Sequence, residues 1–304
     1  MDLEKLIVGN AAGTARSLFE VDKLCNSAVT RITVGSVTTE ARDGNAGTTY
    51  HFDPATLNSI NSIGLKNIGI DKYRRGPLAA MVRAAHDAEG RKLHVSVAGF
   101  KVHEFSEMAE ICFDAGVDGV ELNLGCPNIH DDGVSKEIFS YNPELCEEIF
   151  DTMKIFAGQG KEIGAKISPV PNEVLRPLAQ AINRSTVITE VVPINTLPGQ
   201  RMMLPDGKDA LTYLPPGVSK EFKHEGGLAG AALREHGLRV VKGLRELLHQ
   251  NTRIIGVGGI FTGAHAGEYL DSGADGFMCA TSFIEYGVGI FTDILRELPQ
   301  LADA

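Results

Sequence analysis

No apolar run in this chain approaches the roughly 20 residues of a membrane-spanning helix, so no spanning segment is expected. The opening MDLEKLIVGNAAG lacks a charged leader, a long apolar core and a cleavage site, and a cytoplasmic location is expected. Positive charge is scarce: 29 Lys and Arg stand against 39 Asp and Glu, a net charge of −10. A nucleic-acid partner is therefore not expected, because neutralising phosphates takes a basic surface. The five cysteines, at positions 25, 112, 126, 146 and 279, show no CxxC spacing. That argues against a disulfide framework and against a metal site. No GxGxxG turn is present, which removes the usual mark of a doubly wound dinucleotide-binding sheet. Internal repeats and low-complexity tracts are also missing.

What is present fits a barrel. The 304 residues suit one (β/α)8 domain, which typically takes roughly 250. Residues 1–304 are therefore read as a single domain, and 43% apolar content is enough for its core. Eight short apolar segments read as strands, near 6–11, 31–37, 93–98, 119–124, 164–168, 187–194, 253–258 and 276–281. Several are near-continuous Val/Ile/Leu runs, as strands buried on both faces should be. Helical patterns fall between them at 104–115, 143–158, 172–184, 232–249 and 263–272. Phe105, Met108, Ile111 and Cys112, for example, make one apolar stripe. Alternating strand and helix predicts a parallel sheet, and eight strands predict closure into an α/β TIM barrel. Segments 37–92 and 196–231 interrupt the alternation and are expected to be long functional loops at the C-terminal face.

In this fold chemistry collects at the C-terminal ends of the strands. Small and polar residues dominate those ends here: Asn10-Ala11-Ala12-Gly13, Gly35-Ser36-Val37-Thr38, Ser96-Val97-Ala98-Gly99, Asn195-Thr196, Gly258-Gly259 and Ala280-Thr281. The last two lie where phosphate is usually held, with backbone N–H groups as donors. The run Gly226-Gly227-Leu228-Ala229-Gly230 offers more donors, although each glycine cluster alone also reads as an ordinary turn. Lys166 stands inside an apolar strand. It is either a lysine reaching to the strand's end or a fixed cation beside a cofactor that becomes anionic on reduction. Asn61, Asn123, Asn128 and Asn195 are each common turn formers. Together they suit a ring with alternating N–H and C=O groups.

Cys126 stands apart from the other cysteines. Cys112 and Cys279 fit small buried hydrophobes. Cys126 follows a strand and precedes Pro127. A thiol titrates near pH ~8.5 when unperturbed, within range of proton transfer near neutrality.

These residues resemble the class 1 dihydroorotate dehydrogenases, flavin-dependent (β/α)8 enzymes of pyrimidine synthesis. The stretch Glu121-Leu122-Asn123-Leu124-Gly125-Cys126-Pro127-Asn128 is similar to that family's signature around its catalytic cysteine. Asn61-Ser62-Ile63-Gly64-Leu65-Lys66-Asn67-Ile68-Gly69 resembles its substrate loop. A cysteine in place of serine, and no N-terminal membrane helix, set the chain apart from the membrane-associated class. The resemblance implies FMN at the barrel mouth, contacted by Ala11, Ala12, Gly13, Ser36, Asn123, Lys166, Gly227, Gly258, Gly259, Ala280 and Thr281. It implies a dihydroorotate-like substrate held by Asn61, Ile63, Gly64, Leu65, Asn123, Asn128, Asn195 and Thr196, with Cys126 as base and hydride passing to the flavin. A homodimer is expected, with a separate electron-transfer subunit as an option. One departure matters. The family's usual lysine at Val34–Thr38, which meets the substrate carboxylate, is replaced by Gly35. A lost cation weakens the expectation of a carboxylated substrate. An uncharged cyclic amide or enone therefore stays open as the substrate, as does a flavin-binding scaffold without activity. Loop 129–136 is also acidic and longer than the family's usual loop.

Overall fold

The computed structural model describes residues 5–125, 130–131, 134–135, 138–217 and 221–302. Each of the eight apolar segments forms a strand: β1 (Ile7–Asn10), β2 (Arg31–Val37), β3 (Lys92–Val97), β4 (Gly119–Asn123), β5 (Glu162–Ile167), β6 (Glu190–Pro193), β7 (Arg253–Val257) and β8 (Gly276–Cys279). They hydrogen-bond in sequence order, and β8 returns to β1 to close the barrel. The closing pair is parallel, with Ile7 opposite Gly276 and Asn10 opposite Cys279.

The helices lie outside and bury one face each. In Glu104–Asp114 Phe105, Met108 and Cys112 of the predicted stripe are buried together with Ala109 and Phe113, while Ile111 is half-buried at its edge. Pro143–Thr152 starts where Asn142 accepts from the Leu145 amide and a proline opens the first turn. The main core lies between these helices and the strands. A smaller apolar layer of Ala11, Val192, Ile255, Val257 and Met278 fills the barrel itself. No helix among the described residues is long and apolar enough to cross a membrane.

The two long excursions are not simply loops. Tyr50–Asp53, Asn58–Asn61, Gly226–Gly230 and Leu197–Gln200 form a four-stranded antiparallel sheet. Ala46–Thr48 pairs with Thr212–Leu214 beside it. This cap has its own small core of Ile60, Ala210, Leu211 and Tyr213. Its strands come from opposite halves of the chain, so no local alternation announces their pairing.

The N-terminal end of the barrel interior is charged. Arg31 is 3% exposed and donates to Glu190 at 2.5 and 2.8 Å. Arg253 lies 3.0 Å from Glu162 and 3.1 Å from Glu190. His94 Nε2 and Lys92 Nζ reach Glu162 at 2.9 and 2.8 Å. Burial pushes both carboxyls up. For Glu162 the His94 and Lys92 hydrogen bonds, and for Glu190 the Arg31 charge and hydrogen bond, outweigh it and hold them below the ordinary carboxylate range. Burial, with Arg31 beside it, pushes His94 down, so its ring stays neutral and donates from Nε2.

Candidate active site

At the opposite end the strand termini surround two adjoining cavities of about 150 and 70 Å³. The larger is lined by Asn61, Ile63, Gly64 and Leu65 from the cap and by Ser36, Asn123, Lys166, Asn195 and Thr196 from the barrel. The smaller runs on past Ala11 and Ala12 to Gly258, Gly259, Ala280 and Thr281. The expected site residues within the described chain are thus brought together, with one exception. Gly227 pairs with Asn61 in the cap strand, and Ala229 and Gly230 line the cleft instead. Cys126 and Asn128 lie outside the described residues. A wider concavity of about 690 Å³ opens at the other end of the barrel. Arg31, Lys92 and Arg253 line it, but Glu162 and Glu190 already hold them.

Each group has a local cause for its place. Asn10 staples β1 to β2 by donating to the Thr33 carbonyl and accepting from the Thr33 amide, at 2.8 and 2.9 Å. Asn123 donates to Ser36 Oγ at 2.8 Å, and Ser36 Oγ meets Ser96 Oγ at 2.9 Å. Asn123 Oδ1 accepts from Asn195 Nδ2 and from the Gly125 amide, both at 3.3 Å. Two of the predicted ring-reading carboxamides are therefore locked to each other. The chain is fixed up to Gly125, whose carbonyl accepts from Ser168 Oγ at 2.9 Å.

The cap loop is held by its carbonyls. Asn45 donates to Ser62 O and Ile63 O, at 2.7 and 3.0 Å. Asn67 donates to Leu65 O at 2.7 Å and accepts from the Gly69 amide at 2.8 Å. The amides of Ile63, Gly64 and Leu65 donate to none of the described residues. All three residues line the cavity.

Lys166 is 4% exposed, and its ammonium makes no hydrogen bond among the described residues. Its charged neighbour is Glu121 Oε1 at 3.9 Å, an atom that is itself buried without a hydrogen-bond partner. Across the cleft, Ser59 Oγ and Thr281 Oγ1 meet at 2.9 Å, joining cap to barrel. Tyr269 supports the glycine turn after β7, donating to Gly258 O at 2.8 Å and Val257 O at 3.3 Å. No sequence motif marks Tyr269. Its only signal is the neighbouring glycine, since a Cβ at Gly256 would fall into its ring.

Gly35 is built into its position. Its φ is +114°, a region that side chains rarely adopt. A Cβ there would stand 2.5 Å from the Ser96 carbonyl oxygen. A lysine cannot be restored at Gly35 without moving the backbone. No group of three or more His, Cys, Asp or Glu among the described residues is placed to hold a metal ion.

A model of the dihydroorotate dehydrogenase family matches residues 5–302. The chain is 31% identical to the dihydroorotate dehydrogenase (fumarate) of Lachancea kluyveri over 97% of its own length and 88% of the relative's. It is 30% identical to the enzyme of the same name from Saccharomyces cerevisiae, over 97% of this chain and 89% of that one. Against dihydroorotate dehydrogenase A (fumarate) of Lactococcus lactis the identity is 29%, over 88% of this chain and 81% of the relative.

Proposed function

The chain belongs to the dihydroorotate dehydrogenase family, and from that membership we propose that it oxidises dihydroorotate to orotate, with FMN as cofactor and fumarate as electron acceptor. The charge of the cavity carries the substrate reading. In a protein of net charge −10, Arg16, Lys66 and Lys166 line it, and no Asp or Glu among the described residues does. A carboxylated ring finds cations and amide donors there, and a buried anion needs both.

The residues fit FMN. The buried Lys166 ammonium has a carboxylate oxygen at 3.9 Å but no hydrogen bond among the described residues, and a flavin's pyrimidine carbonyls would supply one. At the far end the Gly258-Gly259 turn, with φ of +129° and +66°, keeps side chains out of the cleft. The amides of Gly258 and Gly259 donate to none of the described residues and are available to a phosphate. When bound, FMN supplies the ring that accepts the hydride. The chain's own part is orientation and proton transfer. Asn61, Asn123 and Asn195 read the substrate ring's amide edge, and the Ile63–Leu65 amides hold its carboxylate. Cys126 Sγ, with Asn128 beside it in sequence, takes the proton from C5. The names of the relatives support fumarate as acceptor. The exposed Met203 and Phe222 of the 196–231 segment support a homodimer that buries them.

Gly35 favours a second reading, a cyclic amide without a carboxylate. One experiment separates the two. Purified protein is loaded with FMN and titrated anaerobically. Dihydroorotate is expected to bleach the flavin spectrum, fumarate to restore it, and dihydrouracil to leave it unchanged. Bleaching by dihydrouracil but not dihydroorotate selects the second reading, and a protein that takes up no FMN overturns both.

A further inference from the structure

We propose that Arg16 is the residue that makes this site specific for an anionic ring, by pairing with the substrate's carboxylate; the assignment rests on the dihydroorotate reading of the cavity. Three cations line that cavity, and they are not equivalent. Lys166 already has Glu121 Oε1 at 3.9 Å. Lys66 is exposed at the cavity's edge. Arg16 is half-buried, and its guanidinium makes no hydrogen bond or ion pair among the described residues.

Its lack of a partner is not for want of a nearby acid. Glu20 Oε2 accepts from the Arg16 and Ser17 amides at 2.6 and 2.8 Å and from the Ser17 hydroxyl at 2.9 Å. These bonds form the start of the helix Leu18–Cys25 and hold Oε2 on the backbone without engaging the guanidinium. The other side of the backbone is held by Tyr73, whose buried hydroxyl donates to Arg16 O at 2.7 Å. Burial pushes the Tyr73 hydroxyl up, although the Arg16 charge opposes it, so it stays a donor at neutral pH. The main chain of Arg16 is thus fixed from two directions while its charge remains available.

Gly35 explains how this segment reaches the cavity. The Gly13 amide donates to Gly35 O at 2.7 Å, and the Gly35 amide donates to Ala15 O at 3.0 Å. The segment 13–15 therefore lies directly on the end of β2, next to Ser36 and Asn123. Both Arg16 and the residues Ile63–Leu65 line the one cavity. A planar guanidinium can take a carboxylate through two parallel hydrogen bonds, which suits a rigid ring carboxylate better than an ammonium does.

The test uses the FMN-loaded enzyme and two planar ligands that differ in the carboxylate, orotate and uracil. Binding is read by calorimetry, independently of turnover. Wild type is expected to prefer orotate. Arg16→Gln is expected to keep its FMN content, lose roughly 10- to 100-fold in orotate affinity and leave uracil affinity unchanged. Arg16→Lys should recover part of the loss. Unchanged orotate affinity in Arg16→Gln overturns the assignment, and so does a parallel fall for both ligands, which marks a structural role. A loss of orotate affinity in Lys66→Gln alone moves the contact to Lys66. If wild-type enzyme shows no preference for orotate, the dihydroorotate reading itself falls and Arg16 falls with it.

Discussion

On β5, Glu162 and Lys166 lie four residues apart on one face of one strand. Glu162 sits at the N-terminal end of the barrel and is met by Lys92, His94 and Arg253. Lys166 sits at the C-terminal end with one carboxylate oxygen at 3.9 Å and no hydrogen bond among the described residues. On β2 the closed end is likewise satisfied, with Arg31 locked to Glu190, while Gly35, four residues on, carries no side chain. One end of each strand satisfies its charges within the protein. The other end leaves them for a ligand. Stability and function are therefore separated along the barrel axis, and a charge's worth depends on which end it occupies.

The largest expected effect lies at the open end. Cys126→Ser should lower the rate of flavin reduction by dihydroorotate about 10²- to 10⁴-fold near neutral pH and leave the melting temperature unchanged. An unaltered rate removes the thiol from the proton step. At the closed end Glu190→Ala strands Arg31 in the interior. Unfolding in urea should show a loss of about 3–5 kcal/mol, with the folded fraction still binding FMN. Loss of cofactor without loss of stability would break the division between the two ends.

Acid should act on the closed end first. Glu162 and Glu190 are held below the ordinary carboxylate value of 4.5, so their contribution is complete above that pH and is lost as pH falls beneath it. His94 is held below 6.5, so the unfolded chain takes up that proton first and the decline starts there. Each proton contributes a slope of about 1.4 kcal/mol per pH unit while it titrates. A melting curve against pH should steepen below 4.5 in wild type and less in Glu162→Gln. Identical acid limbs would show that the network is not what titrates. The smallest effect belongs to Tyr269→Phe, which frees the Gly258 and Val257 carbonyls. FMN should bind roughly 2- to 10-fold more weakly, read by fluorescence, with stability lower by about 1 kcal/mol.

The barrel was legible because its strands are short apolar runs, and burial on both faces demands that composition. Lys166 and the Asn123–Gly125 stretch stood out as polar exceptions at strand ends. The cap has no such signal, because the pairing of Asn61 with Gly227 spans 166 positions and leaves no local trace. For the same reason the sequence does not show that Gly227 pairs within the cap strand while Ala229 lines the cleft. Gly35 was legible as a missing cation. The docking of segment 13–15 on it was not, because a backbone contact has no side-chain signature. Arg16 carries no sequence signal for the same reason.

The cap's pairing also has a consequence for how the protein becomes competent. The strands Asn58–Asn61 and Gly226–Gly230 can meet only after most of the intervening barrel has brought their ends together. Contacts of such separation carry a loop-closure cost and form late in folding. The Ile63–Leu65 segment hangs from one of those strands, and the cavity it lines also takes Ala12 and Ala280 from the ends of β1 and β8, the pair that closes the barrel, so the chain cannot present its whole substrate pocket before the barrel has closed. In stopped-flow refolding, binding of an orotate probe should appear after the recovery of barrel secondary structure. Simultaneous recovery would mean that the cap zips early. A partly folded chain is then one that cannot yet hold its substrate, which makes occupancy of this pocket a report on completed folding.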